Sequence, residues 1–113
     1  SLLRMVRDLL ERHGYRVLTA TSGEAALVIY RDAGATIDLV ILDQNMPGMG
    51  GARCLKALLA LDEYVQVLVL SGHPAGPSAL LQRGARGALQ KPVAAGALLR
   101  AVRRALDAPA GQR

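Results

Sequence analysis

The chain has 113 residues, 51% of them apolar, no Phe or Trp, one cysteine and a formal charge of +5. That length supports one domain around one core, no apolar run approaches the roughly 18 residues of a membrane span, and the lone Cys54 excludes an internal disulfide and suits a reducing, cytoplasmic compartment. Twelve of the fourteen basic residues are arginines spread along the chain, and without a base-stacking Phe or Trp, a zinc spacing or a helix-turn-helix pattern they read as a solvated face rather than a nucleic-acid site.

From the N-terminus, Leu2, Leu3, Val6, Leu9 and Leu10 recur at helical spacing up to Gly14, with Asp8 and Glu11 on the solvent side. The charged amphipathic pattern of this segment does not read as a signal peptide. His13 reads as a cation at the helix C-terminus. Residues 16–20 are predicted as a short strand. Thr21-Ser22-Gly23-Glu24 has the form of a capping box opening a helix to about Ala33. Residues 37–42 are a nearly all-apolar strand, which predicts burial on both faces and a central place in a parallel sheet. Residues 52–61 form a helix with Leu55, Leu58 and Leu59 inward, and 65–70 a further strand. A loop containing His73 and Pro77 leads to a short helix over 78–83. A last strand over 85–90 and a last helix over 94–106 follow, with Arg100, Arg103 and Arg104 on its solvent face. Residues 1–106 form the domain and 107–113 a small polar tail. The alternation of helix and strand predicts an α/β fold with a parallel sheet covered on both faces.

Three strands end in polar chemistry. Val40-Ile41-Leu42 runs into Asp43, Val67-Leu68-Val69-Leu70 into Ser71-Gly72, and Gly87-Ala88-Leu89-Gln90 into Lys91-Pro92. Open α/β sheets place ligands just beyond the C-terminal ends of their strands. An acid, a hydroxyl and an ammonium gathered there suit phosphoryl transfer. Alone, each has a plain reading as a turn acceptor, a turn serine or a surface lysine. Other templates fail: Val69 stands where a nucleophile elbow needs glycine, Asp43-Gln44-Asn45 lacks the second acid of aspartate-nucleophile phosphatases, and no phosphate-binding or dinucleotide glycine pattern occurs.

With Asp38 to Asp43, Met46-Pro47-Gly48-Met49-Gly50-Gly51, Val69-Leu70-Ser71-Gly72 and Leu89-Gln90-Lys91-Pro92 in this order, the chain resembles the receiver domains of two-component response regulators and hybrid sensor histidine kinases. The similarity runs from Leu2 to about Leu106. It implies a flavodoxin-like fold with strand order 2-1-3-4-5. Counting back from Asp43 puts the family's first strand, with its acidic pair, ahead of residue 1. Leu2 to Val6 with Asp8 is not that strand, because too few residues would remain before Gly14 for the crossover helix. Without that strand, 16–20 and 37–42 either pair directly or leave edges through which copies associate, and association is the preferred expectation.

The resemblance also implies the roles. Asp43 is the phosphoacceptor, taking the phosphoryl group from a histidine kinase that is separate or fused in the same polypeptide. Ser71 and Lys91 stabilise the phosphoryl oxygens. Asp43 and the Asn45 backbone carbonyl are ligands for Mg²⁺, whose affinity is weakened without the acidic pair. Asn45 and His73 modulate hydrolysis of the acyl phosphate, and Lys91-Pro92 is a cis peptide. One departure touches signalling: the family's aromatic before the lysine is missing, with Ala88 and Leu89 in its place, and Val93 stands where Phe often follows Lys-Pro. A phosphate-independent receiver serving only as a protein-interaction module is therefore the competing reading.

Overall fold

Helices separate successive strands through most of the chain, and strands joined by crossover helices pair in parallel. The computed structural model describes residues 1–46, 48–72 and 78–108. In chain order the elements are α1 (Leu2–Arg12), α2 (Gly23–Ala33), a 3-10 turn (Gly34–Thr36), β1 (Val40–Asp43), α3 (Gly50–Leu61), β2 (Val67–Ser71), α4 (Ser78–Gln82), β3 (Gly87–Gln90) and α5 (Ala95–Asp107). The sheet of the described residues has order β1-β2-β3, all parallel. No helix among them is long and apolar enough to cross a membrane.

β2 is the middle strand, and all five of its residues are buried. Its period of two splits the core. Val67 and Val69 face Leu27, Leu42, Cys54, Leu55 and Leu58 beneath α2 and α3. Leu68 and Leu70 face Val6, Leu9, Leu10, Leu98 and Val102 beneath α1 and α5. Each fully buried aliphatic side chain contributes about 1.5–3 kcal/mol, so the sheet is clamped from both sides. The inward faces of the helices follow the 3.6-residue spacing, although Leu3 stays 41% exposed.

Several elements differ from their sequence pattern. Residues 16–20 form no ladder, and among the described residues no backbone hydrogen bond joins them to β1. A strand exists only through its partner, and among the described residues neither flank of this segment has one. Tyr15 and Val17 still pack against the α1/α5 cluster, so the hydrophobic half of the pattern survives without the hydrogen-bonded half. For the same reason β1 is an edge strand of this sheet and only Leu42 in it is fully buried, not the central strand its composition suggests. The direct pairing of 16–20 with 37–42 does not occur. The N-cap of α2 is Ser22, whose hydroxyl accepts from the Ala25 N–H at 3.1 Å. Thr21 therefore closes no capping box with Glu24. His13 caps α1, with Nδ1 2.9 Å from the Leu9 carbonyl.

Cys54 is fully buried and its thiol is pushed up in pKa by burial and by the Glu24 carboxylate; it is a small core side chain held as the neutral thiol. The packing of α2 on α3 is fastened by Tyr30, 7% exposed, whose hydroxyl donates to Asp62 Oδ2 at 2.9 Å. Asp62 in turn accepts the Tyr64 N–H at the end of α3. Burial, then the hydrogen bond and the charge of Asp62, push the phenol up to about 12. A folded-state pKa above the unfolded one favours the neutral phenol, so its contribution is full below the ordinary value of 10.0 and is lost as pH climbs towards 12. Tyr30→Phe is expected to lose about 0.5–1.5 kcal/mol near neutrality. Urea unfolding should also show a shallower alkaline decline than the parent's; an unchanged alkaline limb would separate the phenol from that titration.

Candidate functional site

The parallel register brings the strand ends to one edge of the sheet. Asp43 is opposite Leu70, and Ser71 is opposite Gln90. Past Asp43 the backbone holds one residue further, since the Gln44 N–H donates to the Leu70 carbonyl at 2.9 Å. The chain then turns, and the Asn45 N–H folds back onto Asp43 Oδ1 at 3.0 Å. This is the local bond that carboxylates favour in turns. On the far side of β2, the Lys91 N–H donates to the Ser71 carbonyl at 2.8 Å, which fixes where the lysine leaves β3. The Lys91-Pro92 peptide is cis.

These constraints converge on one contact. Lys91 Nζ donates to Asp43 Oδ1 at 2.7 Å, across 48 residues of sequence, with side chains 25% and 33% exposed. Partial withdrawal from water strengthens the attraction relative to a surface pair. The carboxylate thus has one oxygen, Oδ1, engaged by two donors. Gly72 lies between the groups: a Cβ there would stand 3.5 Å from Lys91 Cδ and 3.6 Å from Asn45 Nδ2. Ser71 is fully buried at the end of β2, joined to Lys91 through the backbone bond. His73 and Pro47 lie outside the described residues.

The loop after Asp43 is held from a distance, a feature the sequence pattern missed. Gly48 and Gly50 have φ of +82° and +78°, a region that glycine enters at little cost. The Met49 side chain rests on Gly23 at the start of α2, and the Glu24 carboxylate sits beside Gly48. The Gly51 N–H donates to the Gln44 carbonyl at 3.1 Å, and a Cβ on Gly51 would come within 2.7 Å of Gln44 Cα. The glycines were visible in sequence, but their partners at residues 23, 24 and 44 were not. Gln44 Oε1 is buried without a hydrogen-bond partner among the described residues.

Mg²⁺ takes few protein ligands, typically one or two carboxylates, and keeps several waters. Asp43 would offer one carboxylate and Asn45 a backbone carbonyl, and no group of three His, Cys, Asp or Glu suited to a metal occurs among the described residues. The donor set fits a weakly held, largely hydrated ion.

A carboxylate and a lysine in contact at the C-terminal edge of a parallel sheet wrapped by helices on both faces define a receiver-type α/β domain of the flavodoxin-like class. The profile of the response regulator receiver domain matches residues 1–103, and the chain belongs to that family. It is 37% identical over 108 residues to the transcriptional regulatory protein FixJ of Azorhizobium caulinodans, which covers 92% of this chain and 49% of FixJ. A receiver domain protein from Clostridium thermocellum superposes with a TM-score of 0.87 at 34% identity, over 94% of this chain and 86% of that one. A chain of the CheX-CheY-BeF3-Mg²⁺ complex from Borrelia burgdorferi gives 0.85 at 27% identity, over 91% and 79%. The chain spans less than half the length of the first curated relatives it matches.

The glycine contacts make a comparison of two substitutions informative. Gly51→Ala forces the backbone of Gln44 to move and is expected to cost about 1–3 kcal/mol. Gly23→Ala meets side-chain atoms rather than backbone, Met49 Cγ at 2.6 Å and Sδ at 2.8 Å and Cys54 Cβ at 3.4 Å, and should cost less. Urea unfolding of the two variants checks the order, which reverses if the loop is not held through Gln44.

Proposed function

We propose that this domain accepts a phosphoryl group on Asp43 from a phosphohistidine of a histidine kinase, in a two-component phosphorelay. The observation that carries the reading is the 2.7 Å contact between Lys91 Nζ and Asp43 Oδ1. A carboxylate attacks phosphorus effectively only when held in line with the charge of the phosphoryl group offset. The Asp43 oxygen forms a bond to phosphorus as the P–N bond breaks, and the imidazole leaves with that electron pair and takes up a proton. Lys91 then has a phosphoryl oxygen to neutralise in place of the bare carboxylate, as a mobile point charge. Ser71 supplies a hydroxyl to a second oxygen after moving from its buried position. Mg²⁺, held by Asp43 and the Asn45 carbonyl, would add further charge neutralisation. Asn45, beside the carboxylate, and His73, two residues past Ser71, are the groups proposed to set how fast water cleaves the acyl phosphate.

The kinase partner is either separate or part of the same polypeptide, and a cytoplasmic setting suits both. The phosphate-independent reading has less support, because the acid and the lysine are both retained and touch. Copies of the chain are proposed to associate through the strand edge at β1, where Val40, Ile41 and Leu42 lack a second neighbour among the described residues. Sedimentation at micromolar concentration tests this; a single monomeric species would exclude it.

For the main proposal, the protein is incubated with acetyl phosphate and Mg²⁺, and incorporated phosphate is measured. Label should be acid-labile and absent in Asp43→Asn, whose amide is neither charged nor an adequate nucleophile. Lys91→Ala should lower the rate roughly a hundredfold, as removal of a single preorganised donor does in comparable sites. Full labelling of Asp43→Asn, or acid-stable label on another residue, would overturn the assignment.

A further inference from the structure

The turn that follows Asp43 makes a contact for which the phosphoacceptor chemistry has no use. It reaches the first turn of α2, an element that supplies no group to the cluster of Asp43, Ser71 and Lys91. Two neighbours on α2, Gly23 and Glu24, meet two neighbours in the turn, Met49 and Gly48. Met49 lies over Gly23, and Glu24 lies over Gly48, where a Cβ would stand 2.8 Å from Oε1 and 3.1 Å from Oε2. Both carboxylate oxygens therefore occupy the space that a side chain at residue 48 would take. The φ of +82° at Gly48 is open to glycine at little cost.

Helix capping does not account for Glu24. Ser22 caps α2 on the Ala25 N–H, which puts Glu24 one position short of the reciprocal partner of a capping box. Its charge suits a helix N-terminus, and the helix behind it is anchored by buried Leu27 and Tyr30. The Cys54 thiol of α3 points at the Gly23 carbonyl at 3.9 Å, a further tie at the same end. A fixed helix thus presents a long side chain to an exposed turn. Earlier in that turn, the Asn45 N–H donates to Asp43 Oδ1 at 3.0 Å. Later in it, the Gly51 N–H returns to the Gln44 carbonyl at 3.1 Å. With the ends held at Gln44 and Gly51, slack at Gly48 reaches Asn45, and in-line attack tolerates little misplacement.

We propose that Glu24 is a positioning residue for phosphoryl transfer to Asp43, bracing the Gly48 turn so that the Asn45 N–H stays on Oδ1 and fixes the carboxyl plane. Its effect on rate rests on the phosphoacceptor reading, whereas the brace itself is observable without a phosphodonor. Glu24 forms no ion pair among the described residues. What it offers the turn is contact, which the isosteric amide keeps.

The test compares the parent chain with Glu24→Ala, Glu24→Gln and Val28→Ala, the last an exposed side chain of the same helix. Each ¹⁵N-labelled protein is recorded without phosphodonor and then labelled with acetyl phosphate and Mg²⁺. Glu24→Ala should shift the amides of residues 45 and 48–51 and leave the core amides in place. It should also slow labelling about tenfold, in line with a small misplacement of the attacking group. Glu24→Gln should restore both the amides and the rate, and Val28→Ala should match the parent in both. Parent-like amides at 45 and 48–51 in Glu24→Ala overturn the brace. Shifted amides with the parent's labelling rate overturn the positioning role. An equal loss of rate in Glu24→Gln or in Val28→Ala also overturns it, in favour of charge or of a general loosening of α2. Each of these failures leaves the phosphoacceptor reading intact, whereas full labelling of Asp43→Asn overturns that reading and this role together.

Discussion

Burial of β2 on both faces is the constraint from which the remaining geometry follows. A strand with Val67 and Val69 in one cluster and Leu68 and Leu70 in the other has a single tolerable register, because a slip of one residue exchanges its faces. The register in turn sets Asp43 beside Leu70 on one flank and Gln90 beside Ser71 on the other. Only then do an acid and an ammonium separated by 48 residues come within 2.7 Å. The site is a consequence of core packing several residues below it, and none of its polar contacts needs to be strong for it to form.

The turn after Asp43 adds a second level of control. It is tied to β2 through Gln44 and Leu70, to α3 through Gln44 and Gly51, and to α2 through Met49 resting on Gly23. A carboxylate at a free loop end would sample many directions, and an in-line attack selects few of them. Here Asn45 and Lys91 both donate to the same oxygen, which orients the carboxyl plane. The glycines serve this arrangement by letting backbones approach where a Cβ would collide.

What could be read from sequence follows from which features are local. Asp43, Ser71 and Lys91 stood out because an apolar run breaks into a polar residue at each strand end, and helices α1 and α5 because their periodicity is complete within the segment. Residues 16–20 have the composition of a strand, but a ladder is a relation between two segments, and no adjacent strand is present among the described residues. The all-apolar character of 37–42 likewise reports burial in a complete sheet, while the strand observed, Val40–Asp43, has one neighbour. The cap of α2 is Ser22 rather than Thr21, and either hydroxyl satisfies the local pattern. The docking of the turn after Asp43 on α2 had no local signature at all.

The two edges of the sheet differ in how they are guarded. β3 is four residues long and flanked by Arg86 and Lys91, and short edges with cations nearby resist pairing with another chain. β1 presents Val40, Ile41 and Leu42 without a charge until Asp43. An approaching strand therefore meets an apolar edge on the β1 side and a charged one on the β3 side. The charged side also holds an open groove between α4, β3 and α5, where guanidiniums surround small apolar residues. Guanidiniums close to one another on this side are unfavourable for a second copy presenting the same face.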